Sequence, residues 1–315
     1  MPPRKIVFDT DPGVDDAMAL YLALASEELE VLGLTTVFGN HTTEVTTRNA
    51  LALLQIAGRE DIPVVAGAKD PVAMPYLGPV AHVHGDNGLG NADLPEVTAK
   101  ADEGAARWMF EQAAAHPGEV TLLAVGPLTN LAVALERHPE IESLVQEVVV
   151  MGGNALVPGN ATPAAEANML NDPEAADRVF GASWKVSMIG LDVTHEVIPT
   201  GAELDRLATS KLPATRFLSE VVPFYRHFFE STNGIDGIYM HDPTAVVYLI
   251  APELFTSERW ALRVETEGMS RGKTWPSLGG TDDATPSAWR DRPRVTVCTG
   301  AEERAVIELT FDRLL

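Results

Sequence analysis

The chain has 315 residues, of which 45% are hydrophobic and 22% are charged, and its formal net charge is −22. This composition is ordinary for a globular protein, and it argues against disorder over most of the length. Because the acidic excess is not offset by any basic patch, recognition of nucleic acid or of anionic membranes is not expected.

Short β-branched runs alternate with helical stretches rich in alanine and leucine over the first 190 residues. The strands are apolar throughout, as expected when helices cover both faces of a parallel sheet. We therefore predict an α/β fold with an open, doubly wound, mostly parallel sheet. The predicted strands are 6–8, 31–37, 64–66, 120–125, 148–150 and 186–191, and the predicted helices are 16–25, 44–57, 104–115 and 129–137.

The rest of the chain is less regular. Residues 201–250 are predicted to be mostly helical, and the chain from residue 260 to contain strands with turns and a final helix or strand. Residues 268–292 are rich in Gly, Pro, Asp and Trp, which predicts a surface hairpin or loop. Because no repeat or low-complexity linker interrupts the pattern, we predict one domain over residues 1–315, with helical insertions.

The sequence also indicates a cellular compartment. The single cysteine, Cys298, cannot form an intrachain disulfide, which favours a reducing environment, and its apolar neighbours predict a core position. The N-terminus shows no apolar signal region, and the longest apolar run, residues 17–25, is too short to cross a bilayer. We therefore expect a cytoplasmic protein.

Four aspartates follow the first predicted strand in the segment DTDPGVDD at residues 9–16. Ligands of open α/β sheets bind at the carboxyl ends of the strands. Helix capping and Asp-Pro turns could account for Asp15 and one neighbour, but not for four acids after a buried strand. Such crowding is unfavourable unless a cation or protons relieve it. Since the local ligand atoms are all oxygens, we expect calcium or magnesium rather than zinc or copper.

The same segment resembles the signature of the inosine-uridine preferring nucleoside hydrolases. The resemblance extends in family order from residue 8 to about residue 273, and it implies a Rossmann-like nucleoside hydrolase fold. It also implies hydrolysis of the N-glycosidic bond of ribonucleosides to free base and ribose. The other matching blocks are TTVFGN at 35–40, VGPLTN at 125–130, MGG at 151–153, AEAN at 165–168, DPEAA at 172–176, GLDVTH at 190–195 and HDPTA at 241–245.

The resemblance implies a Ca²⁺ cofactor and assigns its ligands. Asp11, Asp16 and Asp242 would bind it through their side chains, and Val125 through its carbonyl oxygen. Asp11 would also act as the catalytic base that takes a proton from the calcium-bound water attacking the anomeric carbon. Asp9 would hold its neighbours in place.

The resemblance also assigns the substrate side of the site. The ribose would be bound by Asp15, Asn40, Asn160, Glu166 and Asn168. A strong grip on the ribose hydroxyls predicts poor activity on 2′-deoxyribonucleosides.

The base side has two candidate histidines. His241 would face the leaving base and protonate it, with a pKa expected near its working range. His84 matches the His-Gly of the family better than His82 does, so we expect His84 to contact the substrate from the 70–95 loop. An ordinary surface loop is the alternative for that segment.

Base stacking is less well defined by the sequence. Ala167 and Leu170 stand where the family often has aromatic or apolar residues, so stacking is either weaker or supplied by other aromatics. A core position is the alternative interpretation of those aromatics. The candidates are Phe224, Tyr225, Phe228, Phe229 and Tyr239.

Two other functions remain open from the residues alone. A haloacid-dehalogenase-like phosphohydrolase also begins with a strand and Asp-x-Asp, with Asp9 as nucleophile, but the Gly-Thr expected after Asp11 is absent. A non-catalytic calcium-dependent nucleoside-binding protein would not need Asp11 and His241, which are both present. The partners implied by the resemblance are a small ribonucleoside substrate and further copies of the chain in a homotetramer or homodimer.

Overall fold

The computed structural model describes residues 2–278 and 287–315. Within these residues, ten strands belong to one sheet. The strands are β1 (Arg4–Thr10), β2 (Leu29–Thr36), β3 (Val64–Ala66), β4 (Asp102–Glu103), β5 (Val120–Ala124), β6 (Glu147–Met151), β7 (Val186–Ile189), β8 (Phe255–Val264), β9 (Thr274–Pro276) and β10 (Arg294–Ala301).

Helices connect most of these strands. Three short 3-10 helices, Arg206–Thr209, Pro252–Leu254 and Gly268–Ser270, accompany them in the described chain. The α-helices are α1 (Val14–Ala25), α2 (Thr43–Ile56), α3 (Ala81–His84), α4 (Ala105–Ala115), α5 (Thr129–Arg137), α6 (Ile141–Leu144), α7 (Ala167–Asn171), α8 (Pro173–Gly181), α9 (Leu191–Thr194), α10 (Gly201–Asp205), α11 (Pro213–Asn233), α12 (His241–Ile250), α13 (Ser287–Arg290) and α14 (Glu303–Leu314).

The strand order of the sheet is β4-β3-β2-β1-β5-β6-β7-β10-β8-β9. All neighbours from β4 to β10 are parallel, whereas β8 pairs antiparallel with β10 and β9 pairs antiparallel with β8. The prediction of a mostly parallel α/β sheet is therefore confirmed. The first strand lies in the interior of the sheet, between β2 and β5, so the segment after it opens at the centre of the carboxyl edge.

The core lies on both faces of the sheet. In β1, Ile6 and Phe8 pack with α1, α11, α12 and α14, whereas Val7 packs with α4, α5 and α8. Side chains of successive strand residues point to opposite faces, so a strand that is buried on both faces must be apolar at every position. Cys298 is fully buried in the first of these clusters, as its sequence context predicted.

Some elements differ from the sequence prediction. The seventh strand ends at Ile189 rather than residue 191, because the chain turns at Gly190 into α9. The 70–95 loop contains α3, and β8 begins at Phe255 rather than near residue 260. The described part of the predicted 268–292 surface segment contains β9 and α13, while residues 279–286 lie outside the described chain.

Among the described residues, no helix combines the length and the hydropathy needed to cross a membrane.

Candidate active site

The aspartate segment leaves β1 at Thr10 and enters α1 at Val14, and its acidic side chains are buried. Asp11 lies in a close approach between two glycines. A Cβ added at Gly39 would lie 2.0 Å from Asp11 Oδ2, and one added at Gly126 would lie 2.5 Å from Asp11 Oδ1. The absence of side chains at these two positions therefore makes room for the carboxylate.

Asp16 is held by hydrogen bonds from the turn before it. Its Oδ1 accepts from Thr10 Oγ1 at 2.5 Å, and its Oδ2 accepts from the backbone N–H of Gly13 at 2.9 Å. Asn40 then joins it to Asp11. The Asn40 side chain donates to Asp16 Oδ2 at 3.0 Å, and its backbone N–H donates to Asp11 Oδ2 at 2.7 Å. The two carboxylates predicted to bind the cation are thus oriented by one shared neighbour.

Asp15 is oriented from the opposite side by an aromatic pair. The hydroxyl of Tyr225 donates to Asp15 Oδ2 at 3.1 Å, and the Tyr225 ring stacks on His84 with centroids 5.2 Å apart. Nδ1 of His84 accepts the backbone N–H of Val14 at 3.2 Å, so it carries no proton. Burial lowers the pKa of His84 to about 4, which leaves the ring neutral beside Asp15.

Asp242 reaches the cluster from α12. One oxygen each of Asp15, Asp16 and Asp242 lies within 4.8 Å of the other two. This trio differs from the predicted ligand set in two ways: it contains Asp15, which the resemblance assigns to the ribose, and it does not contain Asp11. Burial, followed by repulsion from Asp15, Asp16, Asp11 and Glu166, raises the pKa of Asp242 well above its ordinary value.

Burial also shifts the pKa values of the other aspartates of the cluster. Burial is the largest cause that raises the pKa of Asp15 and Asp16 to about 6, and it also raises the pKa of Asp11 well above its ordinary value. Asp11 Oδ1 and Asp15 Oδ1 are buried without a hydrogen-bond partner. Among the described residues, no Lys or Arg forms an ion pair with these aspartates. Buried oxygens that lack both a donor and a cationic side chain fit a hard cation.

Glu166 and Asn168 lie at the start of α7. The Glu166 carboxylate accepts the backbone N–H groups of Asn168 at 2.8 Å, Gly153 at 2.9 Å and Met169 at 3.0 Å. Burial raises the pKa of Glu166 above its ordinary value. Nδ2 of Asn168 donates to the carbonyl oxygen of Val125 at 2.7 Å. Asn168, which is predicted to bind the ribose, is therefore hydrogen-bonded to the predicted carbonyl ligand.

Asn160 lies at the edge of this arrangement. Its side chain is exposed, and its Oδ1 accepts the backbone N–H of Ala167 at 3.0 Å. The structure therefore brings Asn160 to the turn that carries Glu166, but gives it no contact with the aspartates.

His241 is the first residue of α12 and is buried. Its Nδ1 lies 2.8 Å from Thr194 Oγ1. Its ring centroid lies 5.6 Å from that of His195 and 5.7 Å from that of Tyr239. Burial is the main cause that lowers the pKa of His241 to about 3, so the expectation of a value near neutrality is wrong. The ring is neutral at neutral pH.

The predicted aromatics form a connected set beside His241. Phe229 lies 5.0 Å from Tyr239 and 4.8 Å from Tyr225 between ring centroids, and 5.1 Å from Phe228. His82 is exposed and lies edge-on to Phe228 at 5.9 Å. The ring contacts of the described residues do not include Phe224, so the structure joins four of the five candidates.

Some residues that hold the side chains of the site in place were not predicted from the sequence, namely Thr10, Thr35, Asn130 and Thr194. Asp9 Oδ1 accepts from Thr35 Oγ1 at 2.7 Å and from Asn130 Nδ2 at 2.8 Å, and burial raises the Asp9 pKa to about 7. Asn130 and Thr35 both lie in blocks that match the family, which was the available signal. Thr10 and Thr194 bind site residues through their hydroxyls and also lie in matching segments, but a hydroxyl in a sequence does not indicate which side chain it will bind.

Comparisons with known proteins agree with this geometry. The family model of the inosine-uridine preferring nucleoside hydrolases matches residues 6–308. The chain is 42% identical to "Probable uridine nucleosidase 2" of Arabidopsis thaliana, over 99% of this chain and 98% of that protein. It is 40% identical to the "Inosine-uridine preferring nucleoside hydrolase" of Crithidia fasciculata, over 84% of this chain and 85% of that protein.

A solved structure gives the same result for the fold. A plant nucleoside hydrolase, the PpNRh1 enzyme, superposes with a TM-score of 0.95 at 38% identity, covering 99% of both chains. These matches decide against the phosphohydrolase and the non-catalytic alternatives. The protein is thus an enzyme that hydrolyses the N-glycosidic bond of ribonucleosides. By the extent of these matches, the chain belongs to the inosine-uridine preferring nucleoside hydrolase family.

Proposed function

We propose that the buried aspartates form a Ca²⁺ site at which Asp11 serves as the catalytic base of ribonucleoside hydrolysis. One observation carries this proposal. The structure buries several carboxylates together at the carboxyl edge of the sheet, and Asp11 Oδ1 and Asp15 Oδ1 have no hydrogen-bond partner there. Such an arrangement is stable only when a cation or protons relieve the repulsion.

The proposed ligands are Asp11, Asp16, Asp242 and the carbonyl oxygen of Val125. They are all oxygen donors, as Ca²⁺ prefers, and Ca²⁺ takes about 6–8 of them. A bound Ca²⁺ would offset the charge of the carboxylates and lower the pKa of a water molecule bound to it. The position of Asp15 in the compact trio supports a shared role for it, in which one oxygen faces the cation side and the other stays with Tyr225.

Asp11 suits the role of base because its two oxygens differ. Oδ2 is fixed by the backbone N–H of Asn40, which sets the direction of the carboxylate. Oδ1 is free of hydrogen bonds and can accept the proton of the attacking water. The water would attack the anomeric carbon on the face opposite the base, through an oxocarbenium-like transition state.

The ribose would be gripped by polar side chains on two sides of the cluster. Asp15 and Asn40 lie on the aspartate side, and Glu166 and Asn168 on the side of α7, with Asn160 at its edge. Carboxylates around the sugar stabilise the positive charge that develops on it. Loss of the 2′-hydroxyl would leave buried acceptors without a partner, so 2′-deoxyribonucleosides should be poor substrates.

His241 would assist departure of the base as a neutral ring. Since its pKa is far below neutrality, it cannot supply a stored proton as an imidazolium. A neutral imidazole still carries one N–H, which can donate a hydrogen bond to the leaving base and transfer its proton as negative charge develops there. The aromatic set around His241, together with His84, would enclose the base.

The test is base release from a panel of ribonucleosides, with and without a calcium chelator. Uridine and inosine come first, because the names of the relatives contain them. We expect release by the wild type with Ca²⁺, loss on chelation, and loss in Asp11→Ala. Asp61→Ala is the control, because Asp61 is an exposed partner of Arg59.

Other outcomes would contradict the proposal in recognisable ways. Hydrolysis of p-nitrophenyl phosphate without base release would indicate a phosphohydrolase. Tight nucleoside binding without base release over hours would indicate a binding protein. Full activity after chelation would reject the proposed cation site but not the hydrolase activity.

We further propose that residues 1–315 form one domain, since one sheet contains the described strands from both ends of the chain. The family resemblance leads us to propose a homotetramer or a homodimer. The single cysteine, which is buried and unpaired, leads us to propose a cytoplasmic location. Light scattering of the purified protein tests the subunit number.

A further inference from the structure

The hydrogen bond between Thr194 and His241 connects two elements that are far apart in the chain. Thr194 ends the short helix α9 after β7, and His241 begins α12. Thr194 Oγ1 and His241 Nδ1 are 2.8 Å apart, and both side chains are buried, Thr194 completely. This contact belongs to the GLDVTH block, to which no role was assigned.

The backbone near both residues is held by other hydrogen bonds. The Thr194 N–H donates to Gly190 at 3.1 Å, and the Met240 N–H donates to the carbonyl of Val197 at 3.1 Å. The geometry of the pair therefore does not depend on the side-chain contact alone. This predicts that the hydroxyl can be removed without moving the two helices apart.

The direction of the hydrogen bond decides which ring nitrogen carries the proton. Among the described residues, His241 Nδ1 is the partner shown for the Thr194 hydroxyl. If Nδ1 carried the proton and donated it, the buried hydroxyl proton would have no acceptor, which is costly. If the hydroxyl donates to Nδ1, both groups are satisfied and the ring proton must lie on Nε2. The second arrangement is therefore favoured.

We propose that Thr194 is a positioning residue for the hydrolysis reaction, whose hydroxyl holds His241 in the tautomer that presents an Nε2–H to the leaving base. Nε2 of His241 has no hydrogen bond to any residue within the described ranges, so it is available for substrate. The inference rests on the proposed role of His241 in base departure. It adds that His241 can donate to the leaving base only if the ring nitrogen facing the base, Nε2, carries a proton.

The experiment compares natural nucleosides with a ribonucleoside analogue whose leaving group needs little proton donation, p-nitrophenyl β-D-ribofuranoside. For Thr194→Val, kcat with uridine and inosine should fall about 10- to 100-fold, the range of a weakened general acid. With the nitrophenyl riboside it should fall less than about threefold, since the phenolate leaves unaided. Thr194→Ser should restore both rates because it keeps the hydroxyl.

Thr310→Val is the matched control. Thr310 is another fully buried threonine, and its hydroxyl bonds the carbonyl of Val306 in α14. It should change neither rate. If Thr194→Val does not fold, Thr194→Ala against Thr194→Ser gives the same comparison.

A second measurement does not depend on activity. Nitrogen-15 NMR of the full-length wild type, with His241 assigned by His241→Gln, should show an unprotonated Nδ1 and a protonated Nε2. A protonated Nδ1 would overturn the inference.

The possible failures can be told apart. An equal loss on both substrates in Thr194→Val, or no loss on either, rejects the role of Thr194. If His241→Ala nevertheless discriminates between the substrates, the proposed role of His241 survives. If His241→Ala does not discriminate either, the role of His241 in base departure fails, and the Thr194 inference fails with it.

Discussion

The buried carboxylate of Glu147, at the amino end of β6, contrasts with the aspartate cluster at the opposite edge of the sheet. Glu147 lies 3.2 Å from Lys185 Nζ and 3.6 Å from Arg4 Nη1, and it accepts from the hydroxyl of Ser187 at 2.7 Å. The protein itself thus supplies the compensating charge and the hydrogen bond that a buried carboxylate requires.

The aspartate cluster at the carboxyl edge has comparable burial without that compensation. Its hydrogen bonds come from neutral donors such as Thr10, Asn40 and Tyr225. His84, which lies beside Asp15, is neutral because burial lowers its pKa to about 4. A closed charge balance is typical of a structural site, whereas an open one indicates that a ligand from solution completes it.

Activity should show the largest difference between the two edges. Asp11→Asn keeps the shape of the side chain but removes the base, so kcat for uridine or inosine should fall by about 10²–10⁴. Glu147→Gln should leave kcat within about threefold of the wild type, since a distant site contributes no transition-state contact. Initial rates of base release at saturating substrate measure both, and a comparable loss in both variants would contradict the contrast.

The second largest effect is expected on the stabilisation of the folded protein by Ca²⁺. Ca²⁺ at about 100 times its Kd should stabilise the wild type by about 2.7 kcal/mol through mass action. Asp242→Asn should lose most of this gain because it loses a ligand. In chelator, it should be at least as stable as the wild type, because it removes a carboxylate whose pKa is raised by burial and by its neighbours. Denaturant unfolding with and without Ca²⁺ is the measurement, and an undiminished Ca²⁺ effect in the variant would exclude Asp242 as a ligand.

Replacing Glu147, whose charge the protein itself balances, should change stability in the opposite direction. Glu147→Gln removes a charge that Arg4 and Lys185 balance, so the protein should lose about 1–2 kcal/mol of stability whether or not Ca²⁺ is present. The control is Glu119→Gln, because Glu119 pairs with Lys5 at the surface. That variant should leave the stability of the wild type nearly unchanged, because solvent screens the surface pair. A stabilised Glu147→Gln would show that the balance at this edge is incomplete.

The smallest effect is expected for a surface carboxylate that is also paired. Hydrogen bonding to Arg304 lowers the pKa of Glu203 to about 2, and Glu203 also closes the capping box of α10 with Thr200. A lowered folded-state pKa means that the stabilisation is present above about pH 4.5, the unfolded value, and is lost as the pH falls towards 2.

For Glu203→Gln this predicts a loss below about 1 kcal/mol at pH 7, because solvent screens the pair. The difference from the wild type should shrink below about pH 4.5. Thermal unfolding of both proteins at several pH values measures it. A difference that is constant with pH would assign the effect to helix capping rather than to charge.

Much of the fold was predictable because its pattern is local. Continuous apolar strands such as β1 report burial on both faces, and this alone indicated a parallel sheet with helices on each side. Short elements such as β4 and α9 were missed, because two to four residues carry too little periodicity to be recognised. The termination of β7 at Gly190 depends on a turn that hydrophobicity does not encode.

The site was predictable in its chemistry but less so in its contacts. The aspartate segment lies within eight residues, so its crowding is visible in the sequence itself. The bond from Tyr225 to Asp15 spans 210 positions of the chain, and that from Asn130 to Asp9 spans 121. No local pattern specifies such pairs, because they arise only when the helices are laid on the sheet.

The sequence alone therefore determined the fold class, the acidic centre after β1 and the family, since each depends on residues that are close together or on blocks kept in order. Only the tertiary structure decided how charge is balanced at each edge of the sheet. It also decided that the pKa of His241 lies far below neutral pH, so that the ring is uncharged. The physical reason is the same in both cases. Burial and the arrangement of distant neighbours set the cost of a charge, and both exist only in the folded chain.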